Sequence, residues 1–535
     1  MALAACAGGP KDLAPPPTVV VTSPARSLVQ NSAGSITVTG TATPNDDGTP
    51  IANVMVNNVA ATVNPDGSFT ASIEVEPGAS LIRTVATDTA GGVANDTRSV
   101  EAGELRPPGS NIASAITASV SANGFTKISG IATTMIKQQD FGALLAPLQP
   151  MVHNGDESGP DCLYDQVFVD NLTFSDANIS LVPVAGGLQF SAEIDGLDVP
   201  AHVNFAAACV NGSDTLEVTA DKVIVTGTLS VTPNGMNGFT TTLNNPNVAL
   251  TNFQLDAGGI PGEILNMIDM NNAIAGIIES GAEKFMGPMM NTALGSLAGD
   301  HQLAALGKNI DFAVAPSAVT FDDNGGTISL DTSFLIEGAE SSPGYIFTDN
   351  GNPALDPGQG LELALADDLA NEALAQITAL DMLKLSMSVP GGSFDSIAIT
   401  ATSAPMISAD PSDGQLKLFL PDMKLTFLQG TTPVADAALN ATVALAIVPA
   451  ANGTAVSVQL GTPTVYIDVL NDIPNNTHLE DNDLASAVKL SLDGQIATIS
   501  ALLGTIPLPS IAGITLRQVS VEGSEGYVCV KATIL

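Results

Sequence analysis

Residues 179–194 read Ile179-Ser-Leu-Val-Pro-Val-Ala-Gly-Gly-Leu-Gln-Phe-Ser-Ala-Glu-Ile194. Leu188, Phe190, Ala192 and Ile194 alternate with more polar residues, which is typical of a strand with one buried face. Similar alternation recurs on both sides of this stretch, so we predict a large antiparallel sheet. Its other predicted strands lie at about residues 113–121, 166–174, 199–207, 216–220, 223–231, 239–243 and 248–255.

Two helical patterns accompany these strands. Asn123 is expected to cap a helix that places Phe125, Ile128, Ile131, Met135 and Ile136 on one face. A much longer pattern begins at Pro261 and runs to about residue 298, which is roughly 57 Å of helix. A helix of that length suits lying along a curved sheet, although plain core packing explains any single apolar position as well. Its candidate binding positions are Ile264, Met267, Ile268, Met270 and Ile274.

The second half of the chain again combines strand and helix patterns. We predict helices at residues 361–380 and 483–503, the latter with Leu484 and Val488 on its apolar side, among further strands. Val182-Pro183 followed by an alternating strand is echoed by Ala404-Pro405, which suggests two related halves.

The N-terminal part has a different organisation. Residues 1–17 are rich in Gly and Pro and are predicted to form a tether, while residues 18–102 carry short alternating runs separated by turn clusters. Such spacing indicates a small β-sandwich resembling bacterial immunoglobulin-like repeats. Residues 103–112 form a linker, and the remaining chain is divided into units at 113–300 and 301–535.

Composition narrows the function. The 535 residues carry 16 Lys and Arg against 55 Asp and Glu, a formal net charge of −39, so the chain would repel nucleic acid. Hydrophobic residues make up 45% of the chain, yet no uninterrupted apolar run is long enough to span a bilayer. The apolar side chains are therefore expected to be folded inward, in cores or around an apolar ligand.

The four cysteines suggest a compartment. Leu3-Ala-Ala-Cys-Ala7 resembles a bacterial lipoprotein cleavage box, which predicts acylation of Cys6 and a membrane tether; an accidental cysteine is the alternative. With Cys6 acylated, Cys162 and Cys209 are the pair expected to form a disulfide in an oxidising compartment. Cys529 lies in a strand-like segment and is expected to be buried.

Catalytic chemistry has no support in the sequence. It contains no Gly-x-Ser-x-Gly elbow, phosphate-binding Gly-rich loop or Cys-x-x-Cys, and its four histidines are isolated. We therefore expect no enzyme activity, no cofactor and no metal site.

The order of elements from residue 111 onward resembles the bactericidal/permeability-increasing protein family, which includes lipopolysaccharide-binding and cholesteryl-ester-transfer proteins. The resemblance rests on the strand and helix at 116–135, the Val-Pro turn at 182–183, the helical pattern at 261–297, residues 361–371 and the closing Ile506-Pro-Leu-Pro-Ser510. It implies an α+β fold of two tandem tubular barrels joined by a central sheet, each a highly curved antiparallel sheet wrapped on a long helix that encloses a lipid.

Two departures limit what the resemblance implies. The family's usual disulfide joins the long helix to a strand, whereas the pattern at 261–298 has no Cys. Antibacterial members grip anionic endotoxin with a basic tip, whereas this chain is acidic, so phospholipid or another neutral or zwitterionic lipid is the expected partner.

These features together predict a monomeric lipid-binding or lipid-shuttling lipoprotein of the bacterial outer membrane or cell surface, with periplasm or secretion as alternatives. The expected lining residues are Phe125, Ile128, Ile131, Met135, Ile264, Met267, Ile268, Met270, Ile274, Leu484 and Val488. A structural surface lipoprotein or adhesin whose barrels are filled by side chains is the alternative, and a lipid hydrolase is a third hypothesis.

Overall fold

The structure is a computed structural model, and it describes most of the chain. The described residues are 16–156, 163–207, 209–235, 238–260, 262, 264, 299–305, 307–348, 351–353, 355, 360–388, 394–410, 415–449, 455–472, 488, 505–507, 516–524 and 526–534.

The N-terminal segment forms two facing sheets, here called the sandwich. One sheet has the strand order β1-β3-β7-β6 and the other β2-β9-β8-β4-β5. Their alternating residues meet in one apolar core that includes Val38, Val56 and Ala86, all fully buried, so the predicted all-β character is confirmed. The strands are β1 Thr18–Ser23, β2 Leu28–Gln30, β3 Gly34–Thr43, β4 Ile51–Val56, β5 Val59–Ala60, β6 Thr62–Val63, β7 Ser68–Val75, β8 Gly78–Asp88 and β9 Val93–Ala102.

An antiparallel sheet, here called the long-strand sheet, follows the first helix. Its order is β12-β13-β15-β16-β17, with β14 added to β15 and β18 added to β16. Its longest strands have 21 and 24 residues, a length at which twist accumulates strongly. The elements are α1 Ala122–Lys137, α2 Phe141–Leu145, a short 3-10 helix Ala146–Leu148, β12 Val152–Asp156, β13 Leu163–Val169, β14 Asp176–Val184, β15 Gly187–Ala207, β16 Val210–Pro233, β17 Phe239–Thr251 and β18 Gln254–Asp256.

Another sheet, here called the central sheet, contains strands from distant parts of the chain. Its order is β19-β20-β21-β11-β23-β33-β32, so the strand before the first helix lies between β21 and β23, and β23 in turn pairs with a strand at the C-terminus. Its strands are β11 Ile112–Ser121, β19 Gly299–Ala305, β20 Lys308–Asp322, β21 Gly325–Ile336, β23 Leu361–Ala366, β32 Leu516–Ser524 and β33 Tyr527–Ile534.

The remaining strands form a C-terminal sheet and a two-stranded ribbon. The C-terminal sheet has the order β24-β25-β27-β28-β29-β31, with β26 on β27 and β30 on β28. The helix α3 Asp367–Ala379 directly follows β23. The ribbon pairs β10 Glu104–Arg106 with β22 Tyr345–Phe347, and the sheet contains β24 Leu385–Ser388, β25 Ser396–Thr400, β26 Met406–Asp410, β27 Gln415–Gln429, β28 Thr432–Pro449, β29 Ala455–Leu460, β30 Thr464–Asp472 and β31 Thr505–Pro507.

The predicted fold class, two tandem barrels each wrapped on a long helix, is wrong. The described residues are mostly strands, and the α-helices among them have 16, 5 and 13 residues. Part of the error lies at residues 361–380, because Leu361–Ala366 is a central strand between β11 and β33 rather than helix. A strand buried on both faces reads as an unbroken apolar run, which periodicity does not distinguish from a buried helix.

Two of the predicted helices cannot be compared with the structure. The patterns at 261–298 and 483–503 lie, apart from isolated residues, outside the described residues. Among the described residues, no helix combines the length and hydrophobicity needed to cross a bilayer.

The sandwich is joined to the C-terminal sheet through a free strand edge. Among the described strands, β2 covers this edge of β9 only at residues 100–102. The N–H groups of β9 that precede residue 100 on the same edge face the C-terminal sheet. The Thr97 N–H donates to Asp468 at 3.1 Å, and the Ser99 N–H donates to Asp422 at 3.0 Å. Carboxylates of the C-terminal sheet thus complete the edge of the sandwich, as a neighbouring strand would do.

One arginine holds this junction together. Arg26 contacts three carboxylates, Asp96 at 3.2 Å, Asp422 at 3.0 Å and Asp468 at 2.9 Å, and its side chain is only 18% exposed. The buried Asn440 donates to Asp422 and to the Thr97 carbonyl, both at 2.9 Å. We call Arg26, Asp96, Asp422, Asp468 and Asn440 the junction cluster.

Removing Arg26 should destabilise the junction. In Arg26→Met three buried carboxylates lose their shared cation, and we expect a loss of about 3 kcal/mol or more in the unfolding transition of the sandwich, measured by denaturant titration with circular dichroism. Lys384→Met breaks the exposed pair with Asp381 and should cost less than about 1 kcal/mol. Equal stabilities for the two variants would show that the cluster contributes nothing specific.

Candidate functional site

Helix α1 begins where its sequence provides a cap. Ser121, in an extended conformation, accepts a hydrogen bond from the Gly124 N–H at 3.1 Å, so the cap is Ser121 rather than the predicted Asn123. The face formed by Phe125, Ala132 and Ile136 is buried in the core of the long-strand sheet.

Two hydroxyl groups fix α1 against the edge of that sheet. Among the described strands, β14 pairs only with β15, and its other edge has no strand partner there. The Leu181 N–H donates to Ser129 Oγ, and the Ile179 N–H donates to Thr133 Oγ1, both at 2.8 Å. Because residues four apart share a helix face, Ser129 and Thr133 cover alternate N–H groups of the strand.

The structure brings some of the predicted lining residues together. Phe125 is buried edge-to-face against Phe321, with ring centroids 6.0 Å apart. Ile128 and Met135 lie half-buried against the same core, and Ile264 is fully buried within it.

The other predicted lining residues are dispersed or undescribed. Ile131 is half-buried on α1, and Val488 belongs to a separate core beneath the C-terminal sheet. The positions of Met267, Ile268, Met270, Ile274 and Leu484 lie outside the described residues.

Coverage of the apolar face changes across the long-strand sheet. Beneath α1 it is closed, since Ile179 and Leu181 are 3% and 2% exposed. At the other side of the sheet the apolar residues are only half-buried against the same core. We call these residues the half-buried rim: Val248, Leu250, Phe253 and Leu255. The strand at residues 248–255 is predicted from its alternation, but the rim is not among the predicted lining residues.

A separate cavity of about 250 Å³ lies between the sandwich, the ribbon, α3 and the segment before β26. Its walls include Val29, Leu105, Met406 and Glu101. Burial raises the pKa of Glu101 to about 7. No predicted site residue lines this cavity.

The polar face of α3 is buried between the surrounding strands. The Asn371 side chain accepts from the Ile407 N–H at 2.7 Å and donates to the Ile407 carbonyl at 3.1 Å. Gln376 likewise accepts from the Ile336 N–H at 2.7 Å and donates to the Phe334 carbonyl at 3.1 Å. Glu372 accepts from the Gly109 N–H at 2.6 Å. These side chains are at most 2% exposed, so α3 connects the linker, the central sheet and the C-terminal sheet.

Two carboxyl groups on α3 have strongly perturbed titrations. Burial raises the pKa of Asp368 to about 8 and that of Glu372 to about 7. Within the described part of the chain, no group of three His, Cys, Asp or Glu is arranged to hold a metal ion. Asp368 accepts from the Thr348 N–H at 3.0 Å and Glu372 from the Gly109 N–H, so we interpret both acids as acceptors for neighbouring backbone.

The tether and the proposed disulfide cannot be compared with the structure. Residues 1–15, including Cys6, and Cys162 lie outside the described residues, so acylation and the Cys162–Cys209 pairing stay predictions. Cys529 is fully buried, as expected.

One family model matches the region of the sandwich. Residues 17–103 match the model of the family described as glucodextranase, domain B. No curated protein matches the chain.

Solved structures resemble the chain weakly. A lipopolysaccharide binding protein is similar at 14% identity over 80% of this chain and 99% of that one, with a TM-score of 0.39. P47 of Clostridium botulinum E1 is similar at 9% identity over 78% and 98% of the two chains, with a TM-score of 0.29. Scores this low do not establish a shared fold.

The hydroxyl contacts of α1 should matter for stability. Ser129→Ala leaves the buried Leu181 N–H without its acceptor, which is expected to cost about 1–3 kcal/mol of unfolding free energy. Thr134→Ala removes an exposed hydroxyl that bonds only within the helix, to Gly130, and should change stability much less. A Ser129→Ala loss no larger than that of Thr134→Ala in denaturant titrations would contradict this role.

Stability should fall as the buried acids of α3 ionise. The pKa of Glu372 is 4.5 unperturbed and about 7 in the fold, so its contribution is complete below about pH 4.5 and lost as pH rises through about 7. Between pH 5 and 7 the free energy of unfolding of the wild type should fall as pH rises, and Glu372→Gln should make this fall shallower by about 1 kcal/mol per pH unit. Thermal and denaturant unfolding at a series of pH values measure this slope. The control is Glu337→Gln at an exposed position, and its unfolding free energy should depend on pH as that of the wild type does.

Proposed function

We propose that the chain binds lipid passively on the apolar face of the long-strand sheet, with the half-buried rim as the place where an acyl chain lies. The observation that carries the proposal is the uneven coverage of one continuous apolar core. The core is closed under α1 and incompletely covered at Val248, Leu250, Phe253 and Leu255.

The transfer free energy of an acyl chain favours its binding at the half-buried rim. Removing a 16-carbon chain from a bilayer costs about 12 kcal/mol at roughly 0.8 kcal/mol per CH₂, so a carrier must offer apolar surface in return. The half-buried rim supplies that surface next to a packed core.

The charge of the protein selects among lipids. With a formal net charge of −39, the surface repels anionic headgroups, and a neutral or zwitterionic lipid is the expected ligand. A non-enzymatic carrier at the bacterial envelope, tethered through acylated Cys6, is the fuller form of this proposal.

The rim residue Leu250 provides the test. Leu250→Glu places a charge on the apolar face and should weaken binding of a fluorescent phosphatidylcholine at least tenfold, equivalent to about 1.4 kcal/mol. Val182→Glu adds the same charge to a side chain of β14 that is 47% exposed, and it should bind as the wild type does.

Native mass spectrometry of the purified wild-type protein is the second measurement. It should detect co-purifying lipid, which Leu250→Glu has lost while circular dichroism shows an unchanged fold. A wild-type protein that neither carries nor binds lipid would overturn the proposal. The complete burial of Ile264 and the packing beneath α1 would then favour a structural lipoprotein with side-chain-filled cores.

A further inference from the structure

The contact between the sandwich and the C-terminal sheet is rich in acidic side chains. Arg26 is shared by Asp96, Asp422 and Asp468, and Arg98 pairs with Asp96 at 2.9 Å. Among the described residues, the charged or titratable side chains at this contact are Arg26, Arg83, Asp96, Arg98 and Glu101 of the sandwich, and Asp422, Tyr466 and Asp468 of the C-terminal sheet. With every carboxyl group ionised, the acids outnumber the arginines.

Hydrogen-bond donors at the junction are concentrated on Asp422. It accepts from the backbone N–H groups of Ser27 and Ser99, at 2.8 and 3.0 Å. Arg26 and Asn440 donate to it as well, at 3.0 and 2.9 Å. Several donors directed at one carboxyl group stabilise its ionised form.

Asp468 and Glu101 are less well supplied with donors. Asp468 accepts from Arg26 at 2.9 Å and from the Thr97 N–H at 3.1 Å, and the Glu101 carboxyl group is hydrogen-bonded by Ser403. These two acids are only 7% and 5% exposed. Burial raises the pKa of each to about 7. Near neutral pH, both groups therefore exchange protons.

Both acids lie on the surface that docking covers. Asp468 belongs to β30 and contacts Thr97 of β9, whereas Glu101 belongs to β9 and contacts Ser403, which precedes β26. Separation of the two units would return these carboxyl groups to water, where Asp and Glu ionise at roughly pH 4. The docked state therefore binds protons that the separated state releases at neutral pH.

We infer that the docking of the sandwich on the C-terminal sheet is a proton-operated switch, closed while Asp468 and Glu101 hold protons and open once both are ionised. Because the docked state binds more protons, their contribution to docking is complete below about pH 4 and is lost as the pH rises through about 7. Above that pH, each released proton weakens docking by up to about tenfold per pH unit. The inference is independent of the proposed lipid-binding face.

Fluorescence can report the docking, because the chain contains no tryptophan. Tyr466 of β30 is half-buried beneath Arg83 of the sandwich, whose guanidinium carbon lies 5.7 Å from the ring centroid. In Tyr466→Trp, the indole emission should shift to longer wavelength between about pH 6 and 8.5, since water replaces the departing sandwich. Phe174→Trp, at a half-buried position of the long-strand sheet, is the control and should keep its emission. An unchanged Tyr466→Trp spectrum, or an equal shift in the control, would overturn the inference.

Substitutions of the acids test which groups operate the switch. Asp468→Asn, combined with Tyr466→Trp, keeps an acceptor for Arg26 but has no proton to release, so the midpoint of the emission change should rise by at least about one pH unit. Glu101→Gln should act in the same direction. Asp436→Asn, at a side chain of β28 that is 25% exposed, should leave the midpoint unchanged. Equal midpoints for all three variants would refute the assignment.

Hydrogen exchange of the wild type tests the switch without any substitution. The Thr97 and Ser99 amides donate to Asp468 and Asp422 across the junction. After correction for intrinsic exchange, they should lose at least tenfold in protection between about pH 6 and 8.5. Amides of β7, which pairs with β3 within the sandwich, should keep their protection. Constant protection at Thr97 and Ser99 would contradict the opening, and an equal loss in β7 would show that the sandwich unfolds instead of undocking.

Discussion

The fold depends on satisfying the backbone N–H groups at strand edges that have no strand partner. A chain composed mainly of strands has many such edges, and an unpaired buried N–H is costly. Here side chains replace the missing strands. Ser129 and Thr133 of α1 accept from β14, Asp422 and Asp468 accept from β9, and Asn371 of α3 binds both backbone groups of Ile407.

These replacements also join the sheets. The junction cluster that completes β9 connects the sandwich to the C-terminal sheet, and the α3 side chains contact the linker, the central sheet and β26. Hydrogen bonds are directional, so each contact determines orientation as well as distance. The sandwich is therefore docked on the remainder of the protein at a defined position, and the cavity lined by Glu101 exists only because of that docking.

The proposed lipid-binding face follows from differences in how completely apolar surface is covered. Helix α1 is held by the edge strand β14 and covers the apolar face of the long-strand sheet beneath it. At the rim the same apolar face is only partly covered. The strongly acidic surface bears on the choice of lipid, since it disfavours anionic ligands in general.

The sequence by itself determined the elements whose pattern is local. Alternation identified the strands of the sandwich and the long-strand sheet, and the apolar stripe identified α1 with Phe125 and Ile136 inward, because these periods are properties of the backbone. Only the tertiary structure decided that Leu361–Ala366 is a strand, since a doubly buried strand lacks a period of its own. Asp368, Asn371, Glu372 and Gln376 would be placed on a solvated helix face by any local rule, yet they are buried. Their partners are strand edges distant in sequence, and those pairings, like the cavity beside Glu101, exist only once the sheets have assembled.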